Sequence, residues 1–408
     1  MYRKTLDKRE FMTQYLFSIL EDESRLPCEI LHIIDEGADI NAENKTGRTV
    51  LMQAVHRKTF CCEIISMLIE AGSEVNAGNH LCGRTALMEA ARYNPNPEVI
   101  KTLIEFGAEV NARPDLGDRT ALMEAASNIN PYIIKLLIEE GAEVNATTEM
   151  GSTALMCAAE NNPDPNAVRI LLNYGSEANA KSKWGGSYYE AGTSALMKAA
   201  MNNPNPEILR LLVNGGADVN AKDDLGSTAL MLASAKNRES EILRALVSLG
   251  ADIEAKDNVG ATPLMKAADY NSARTVSELI KLGANVNAVD NNGMTALMYT
   301  LFIHNFRPDI KIIEMLIQSG INVNSADNDF GDTALMYAAR YSFEPDIVRL
   351  LIHAGADGTH TNYAGEDAGD YAGDAVDDIV ERYGLDFCEK YNVVETSDEI
   401  LEILERLE

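Results

Sequence analysis

Six histidines, six cysteines and a large excess of carboxylates are the residues of this 408-residue chain that could do chemistry. His32, His56, His80, His304, His353 and His360 are scattered. None has a metal-ligand spacing such as H-E-x-x-H, so they read as helix-surface or loop residues. Cys61 and Cys62 are adjacent, and Cys28, Cys82, Cys157 and Cys388 lie far apart without a C-x2-C pair. That pattern argues against zinc and for thiols packed as small apolar groups. Asp370, Asp374 and Glu381 fall at positions one, five and twelve of a calcium-loop register. Positions three and six are Ala372 and Ala375, where such a loop needs an oxygen ligand and a glycine, so the stretch reads as a solvated acidic cap. A recurring G-A-x-V-N string is not a phosphate loop, because its glycine ends a helix instead of opening one. No metal, no cofactor and no catalytic constellation is expected. The chain reads as a non-enzyme.

Composition narrows the partners. The chain has 35 Lys and Arg against 63 Asp and Glu, a net charge of −28. Such a surface repels nucleic-acid phosphates and anionic lipid, so neither is an expected partner. No apolar run approaches the ~20 residues of a membrane span. The first seventeen residues carry charge but lack a continuous apolar core of a secretion signal. Six cysteines in this length do not make a disulfide scaffold. The expectation is a soluble, monomeric protein in the reducing cytoplasm.

The elements that would position any site come from an internal repeat. A string reading GRTALM, GSTALM or GMTALM recurs with anchors at Thr49, Thr85, Thr120, Thr153, Ser194, Thr228, Thr262, Thr295 and Thr333, spaced 33 to 41 residues apart. Between the anchors runs a second string, EGADINA, AGSEVNA, FGAEVNA and so on. The anchor residue precedes an Ala-rich apolar run such as TALMEAARYN and reads as the N-cap of a short helix. Asn94, Asn162, Asn203, Asn237 and Asn271 stand nine residues later and read as left-handed helix ends, with Pro95, Pro163 and Pro204 blocking continuation. Asn96, Asp164 and Asn205 are second N-caps, each followed by a proline at the first helical position. In the second helix, PEVIKTLIEFG, Val99, Ile100, Leu103 and Ile104 cover two flanks. A helix buried on two flanks needs a neighbour on each side, which stacking supplies.

A unit of about 33 residues reading G-x-T-A-L-M-x-A-A … L-I-E-x-G-A-x-V-N-A resembles the ankyrin repeat, over roughly residues 11–373. The resemblance implies an all-α solenoid of helix–turn–helix units with β-hairpin-like fingers, in a curved stack of about ten to eleven layers. The chain departs from the family pattern in two ways. Ala-Leu-Met replaces Pro-Leu-His after the threonine, which puts one structural hydrogen bond in doubt. The inter-helix turn is Asn-Pro-Asn-Pro in place of Gly-His. Residues 1–46 read as an N-terminal capping repeat, 47–356 as nine tandem repeats, and 357–408 as a degenerate repeat with an acidic capping helix. That last segment carries sixteen acids and three bases, net −13. Its final helix, about Asp398–Leu407, would open with a capping box at Thr396 and Glu399. One finger, 181–193, is longer than the rest and holds Trp184, Tyr188 and Tyr189.

The resemblance also implies a function: a non-catalytic scaffold that binds another protein on its concave face and finger tips. In the family, binding side chains come from the turn before the threonine and the exposed face of the first helix. At matching positions stand Arg48, Arg84 and Arg119, then Arg57, Arg92 and Tyr93. Toward the other end come Tyr299, Phe302, Phe330, Tyr337, Arg340 and Tyr341. Trp184, Tyr188 and Tyr189 complete the candidates, Arg, Tyr and Trp being enriched where binding energy concentrates. The alternative is a regulator or effector that inhibits or recruits an enzyme, with the acidic C-terminus as its active element.

Overall fold

The computed structural model describes residues 7–114, 118–183, 191–237, 239–270, 272–302, 308–341, 344–372 and 393–406. Short helices in pairs make up the chain. One repeat shows why: Ala86–Tyr93 is the first helix and Pro97–Glu105 the second. Thr85 sits in extended backbone, and its hydroxyl accepts the Met88 backbone N–H at 3.4 Å. Thr49, Thr120, Thr153, Ser194, Thr228, Thr262 and Thr295 do the same at 3.2 to 3.4 Å. Each removes one orphan donor from a helix start. Thr333 is the exception, its buried hydroxyl having no hydrogen-bond partner. Asn96 and Asp164 cap the second helices over Pro97 and Pro165 as expected.

The methionine three places after the anchor does more than fill space. Met88 and its counterparts are buried. The backbone N–H of Ser194, Thr228, Thr262, Thr295 and Thr333 points at this sulfur at 3.3 to 3.5 Å. The thioether, a weak acceptor, takes the place of the reach-back side chain of a capping box.

Two sets of asparagines tie repeat to repeat. The asparagine of the G-A-x-V-N string donates its amide to the helix-terminal glycine carbonyl of the next repeat: Asn41 to Gly72, Asn76 to Gly107, Asn111 to Gly141, Asn324 to Gly355. Its oxygen accepts the backbone N–H two residues beyond, from Glu74, Glu109, Glu143 and Asp357. The second set corrects an expectation. Asn94, Asn162 and Asn237 end their helices in extended backbone, at φ −100°, −99° and −89°, and are not left-handed caps. A following proline confines Asn94 and Asn162 to that region. Their amides donate backwards instead: Asn94 to Val55, Asn162 to Ala126 and Asn128 O, Asn237 to Ala200 and Asn203 O. Asn271 lies outside the described residues. Gly107, at φ +89°, is a true left-handed stop.

The contacts divide the chain into two compact units, residues 1–199 with 210–217, and 200–209 with 218–408. Within each, first helices pack on first helices and second on second, in chain order. Val99, Ile100 and Leu103 are fully buried in this way, while Ile104 is half-exposed. Among the described residues the fingers are loops closed by isolated antiparallel bridges, such as Glu43 with Thr49 and Val289 with Thr295.

The chain ends differ from each other. Helix Lys8–Glu21 packs on helix Pro27–Asp35 and on helix Val50–Ala54, and Pro27–Asp35 packs on helix Cys61–Glu70. The last helix runs Val393–Glu405, so Thr396 and Glu399 lie inside it and do not open it. Glu399 accepts Arg349 Nη2 at 2.6 Å, while Ile400 and Leu404 are buried as the helix packs on Pro345–His353.

Candidate partner-binding surface

In the first unit the finger arginines are brought together, but around two glutamates that the sequence reading overlooked. Glu89 and Glu124 stand four places after their anchors and are buried. Arg84 bridges them, Nη1 donating to Glu89 Oε1 at 3.2 Å and Nη2 to Glu124 Oε1 at 2.9 Å. Arg92 Nη1 donates to Glu124 Oε2 at 2.7 Å, and Arg119 Nε lies 3.0 Å from Glu124 Oε1. Arg48 Nε approaches Glu89 at 3.6 Å, and His56 Nε2 is 2.9 Å from the same carboxylate. Burial alone would raise the Glu89 carboxyl. The His56 hydrogen bond and the Arg48 and Arg84 charges outweigh it and hold the group below its ordinary value. Tyr93 is 48% exposed beside this cluster, its ring centroid 5.4 Å from the Arg92 guanidinium and 5.2 Å from the His56 ring.

Arg57 does not belong to this surface. It is 1% exposed, and its guanidinium donates to the carbonyls of Ile19, Leu20, Asp22 and Arg25. The segment after Val55 lacks the Asn-Pro-Asn-Pro turn, and Arg57 does for the end of helix Lys8–Glu21 what Asn94 does for the next layer. Its position on the sequence gave no sign of this, since an arginine beside a helix end reads equally well as a surface cation.

In the second unit the charges are exchanged between finger and helix. Asp223, Asp257, Asp290 and Asp327 sit at the finger bases, Asp257 half-buried and the other three buried, each Oδ1 accepting finger backbone N–H groups. In three of these repeats the residue four places after the anchor answers with a donor, while the repeat of Asp223 has Leu232 there. Lys266 Nζ is 2.7 Å from Asp257, Tyr299 donates to Asp290 at 2.8 Å and Tyr337 to Asp327 at 3.0 Å. Burial and these aspartates push both phenols well above their ordinary range. Tyr337 is 8% exposed and is a packing residue more than a contact surface, and Tyr299 is half-buried. Asp223 has its carboxyl raised by burial, with Asp224 and Asp257 adding to the shift.

The remaining aromatic candidates cluster. Phe302 lies 6.0 Å from Tyr337 and 6.2 Å from Tyr341, and Arg340 stands 5.5 Å over Tyr341 and 4.9 Å over Tyr371. Phe330, at a finger tip, is 63% exposed. Adjacent tips are joined by backbone hydrogen bonds, Asn258 to Leu225 O, Asn291 to Val259 O, Asn328 to Asn292 O and Tyr363 to Phe330 O. Lys183 to Met150 O is the counterpart in the first unit. Leu81, Met150, Val259 and Tyr363 are, like Phe330, exposed tip residues. Trp184, Tyr188 and Tyr189 lie outside the described residues. The base of their finger is closed by Ser182 N–H to Thr193 O and Gly192 N–H to Ser182 O, both 2.9 Å.

A family model described as ankyrin repeats matches residues 24–114, 96–183, 181–257, 235–327 and 264–362. The chain belongs to the ankyrin-repeat family. Ankyrin repeats generally mediate protein–protein interactions, and no catalytic family is indicated. No curated relative matches the chain. Among the described residues of this ankyrin-repeat protein, no helix is long and apolar enough to cross a membrane and no group of His, Cys, Asp or Glu has the geometry to hold a metal ion. Burial pushes the Cys61 thiol up to about 12 and also raises Cys157, which suits packing and not nucleophilic chemistry. Cys28, by contrast, is exposed, against the expectation of buried thiols.

Proposed function

We propose that this ankyrin-repeat protein is a non-catalytic scaffold whose finger tips and exposed first-helix faces bind another protein. The observation that carries the reading is the row of exposed apolar tips. Val259, Phe330 and Tyr363 project from fingers whose backbones are hydrogen-bonded tip to tip. Exposed apolar groups held by ordered backbone are what a binding surface needs: area to desolvate at little further entropic cost. The alternative, in which the acidic C-terminus is the active element, has less support, because the last helix packs on Pro345–His353 and serves the fold.

Photo-crosslinking tests the reading. A photoreactive residue is placed at Leu81, Val259 or Phe330, and as a control at Glu105 or Lys281 on exposed second-helix positions. Partner adducts in native extract are expected from the tips and not from the controls. Equal adducts from both sets, or none from the tips, would reject it.

A further inference from the structure

We propose that Arg48, Arg84, Arg92 and Arg119 form a carboxylate-binding site that takes a short acidic segment of a partner protein; this rests on the scaffold reading and names the chemistry of one part of the surface. The argument is one of charge and of unused donors. Neutralising Glu89 and Glu124 needs two cations, and four arginines surround them. In a chain of net charge −28 this is a local surplus of the opposite sign. The four side chains keep between 25% and 36% of their surface, so the cluster opens to solvent. Arg48 reaches Glu89 only at 3.6 Å, and among the described residues its guanidinium makes no hydrogen bond. Arg119 Nε is buried and, though 3.0 Å from Glu124, is not aligned for a hydrogen bond.

Guanidinium presents five N–H donors in a fork that matches a carboxylate. Two buried carboxylates cannot occupy the donors of four such groups. They fix the forks in place instead, so that little side-chain entropy is lost when a ligand arrives. The surplus of two charges suits two carboxylates close together on one segment. Tyr93 beside Arg92 offers a ring face against the ligand's aliphatic stem. A polyphosphate is disfavoured because its charge extends beyond the cluster and meets the acidic remainder of the chain.

The test is titration of the full-length protein with a fluorescent Glu/Gly peptide and with a Gln/Gly peptide of equal length, by anisotropy. The Glu peptide is expected to bind at least about tenfold more tightly, and added salt to weaken it. Arg48→Gln with Arg92→Gln, which leaves Arg84 and Arg119 on the buried glutamates, should remove that difference. Arg113→Gln, elsewhere on the same unit, should not. Glu89→Gln adds one net positive charge and should tighten Glu-peptide binding, an effect that loss of fold would not produce. Equal binding of the two peptides, an unchanged double variant, or displacement of the Glu peptide by duplex DNA at the site would overturn the proposal. Failure here with finger-tip crosslinks intact removes only this site, whereas loss of the crosslinks removes the scaffold reading itself.

Discussion

Asn94 Nδ2 donates to the backbone carbonyl of Val55, 39 residues earlier, at 2.6 Å. Val55 ends the first helix of the preceding repeat, where the last carbonyls have no intrahelical partner. One buried amide thereby satisfies the helix end of its neighbour, while its own oxygen accepts Asn96 N–H at 2.9 Å to set the turn. Asn128 repeats the arrangement with Ala91 O and Asn94 O at 2.8 and 3.0 Å. Asn128→Ala is therefore expected to cost about 1–3 kcal/mol, the penalty for leaving buried carbonyls unpaired. Urea denaturation checks it, and a midpoint equal to wild type would contradict the assigned role.

Arg57 should be more sensitive than any exposed arginine. Its Nη1 nitrogen alone serves three carbonyls at 2.9 to 3.1 Å. As a cation at the C-terminal end of helix Lys8–Glu21 it also opposes the helix dipole. Arg57→Met is expected to cost about 3 kcal/mol or more, since hydrogen bonds from charged donors are the stronger class. Loss should concentrate in residues 8–35, seen as faster amide exchange there than in the central repeats.

Much of this fold was legible because each layer repeats the same solution. Anchor threonines, prolines at helix starts and stop glycines all act locally, and their positions follow from the chain alone. What the sequence hid acts between layers. The roles of Asn41 and Asn94 depend on carbonyls more than thirty residues away, so a local reading assigned Asn94 to the wrong conformation. The surface was harder still. Arg48, Arg84 and Arg119 were visible as a series, yet Glu89 and Glu124, which fix their geometry, look in sequence like ordinary polar positions on an amphipathic helix. A tabulation of the residue four places after each anchor would have exposed the exchange from glutamate to lysine and tyrosine.

Leu230→Ala tests the register of the central repeats. Leu230 is fully buried in helix Ala229–Lys236. Truncation should cost about 2–5 kcal/mol. Because each repeat is stabilised by its neighbours, protection should fall in adjoining repeats as well as its own. A loss confined to residues 229–236 would contradict that coupling.

Excising 184–190 should leave stability within about 1 kcal/mol of wild type, as for a surface change that removes no core contact. The pairing of Lys181 with Ser194 and the Ser182–Thr193 hydrogen bonds close the finger without that segment. Thermal unfolding of the shortened protein measures this. A large loss would mean that Trp184, Tyr188 or Tyr189 packs against the repeats.

Two carboxylates should give opposite pH signatures. Glu89 is held below its ordinary 4.5 in the folded protein, so its contribution is fully present above that value and is lost as pH falls through the lower folded value. Glu89→Gln should therefore be less stable than wild type at neutral pH, with the gap closing below about pH 4.5. Asp223 is raised above 3.8 by burial, so its ionised form opposes folding at neutral pH. Asp223→Asn keeps an oxygen for the Leu225 and Ser227 N–H groups, as Asn44 does for Thr46 and Arg48. It should be more stable than wild type at neutral pH, and that gain should vanish as pH falls through the raised folded value toward 3.8. Melting temperatures from pH 7 to pH 3 for the two variants give both slopes. Gaps that run parallel across the whole range would show that neither carboxylate changes its pKa on folding.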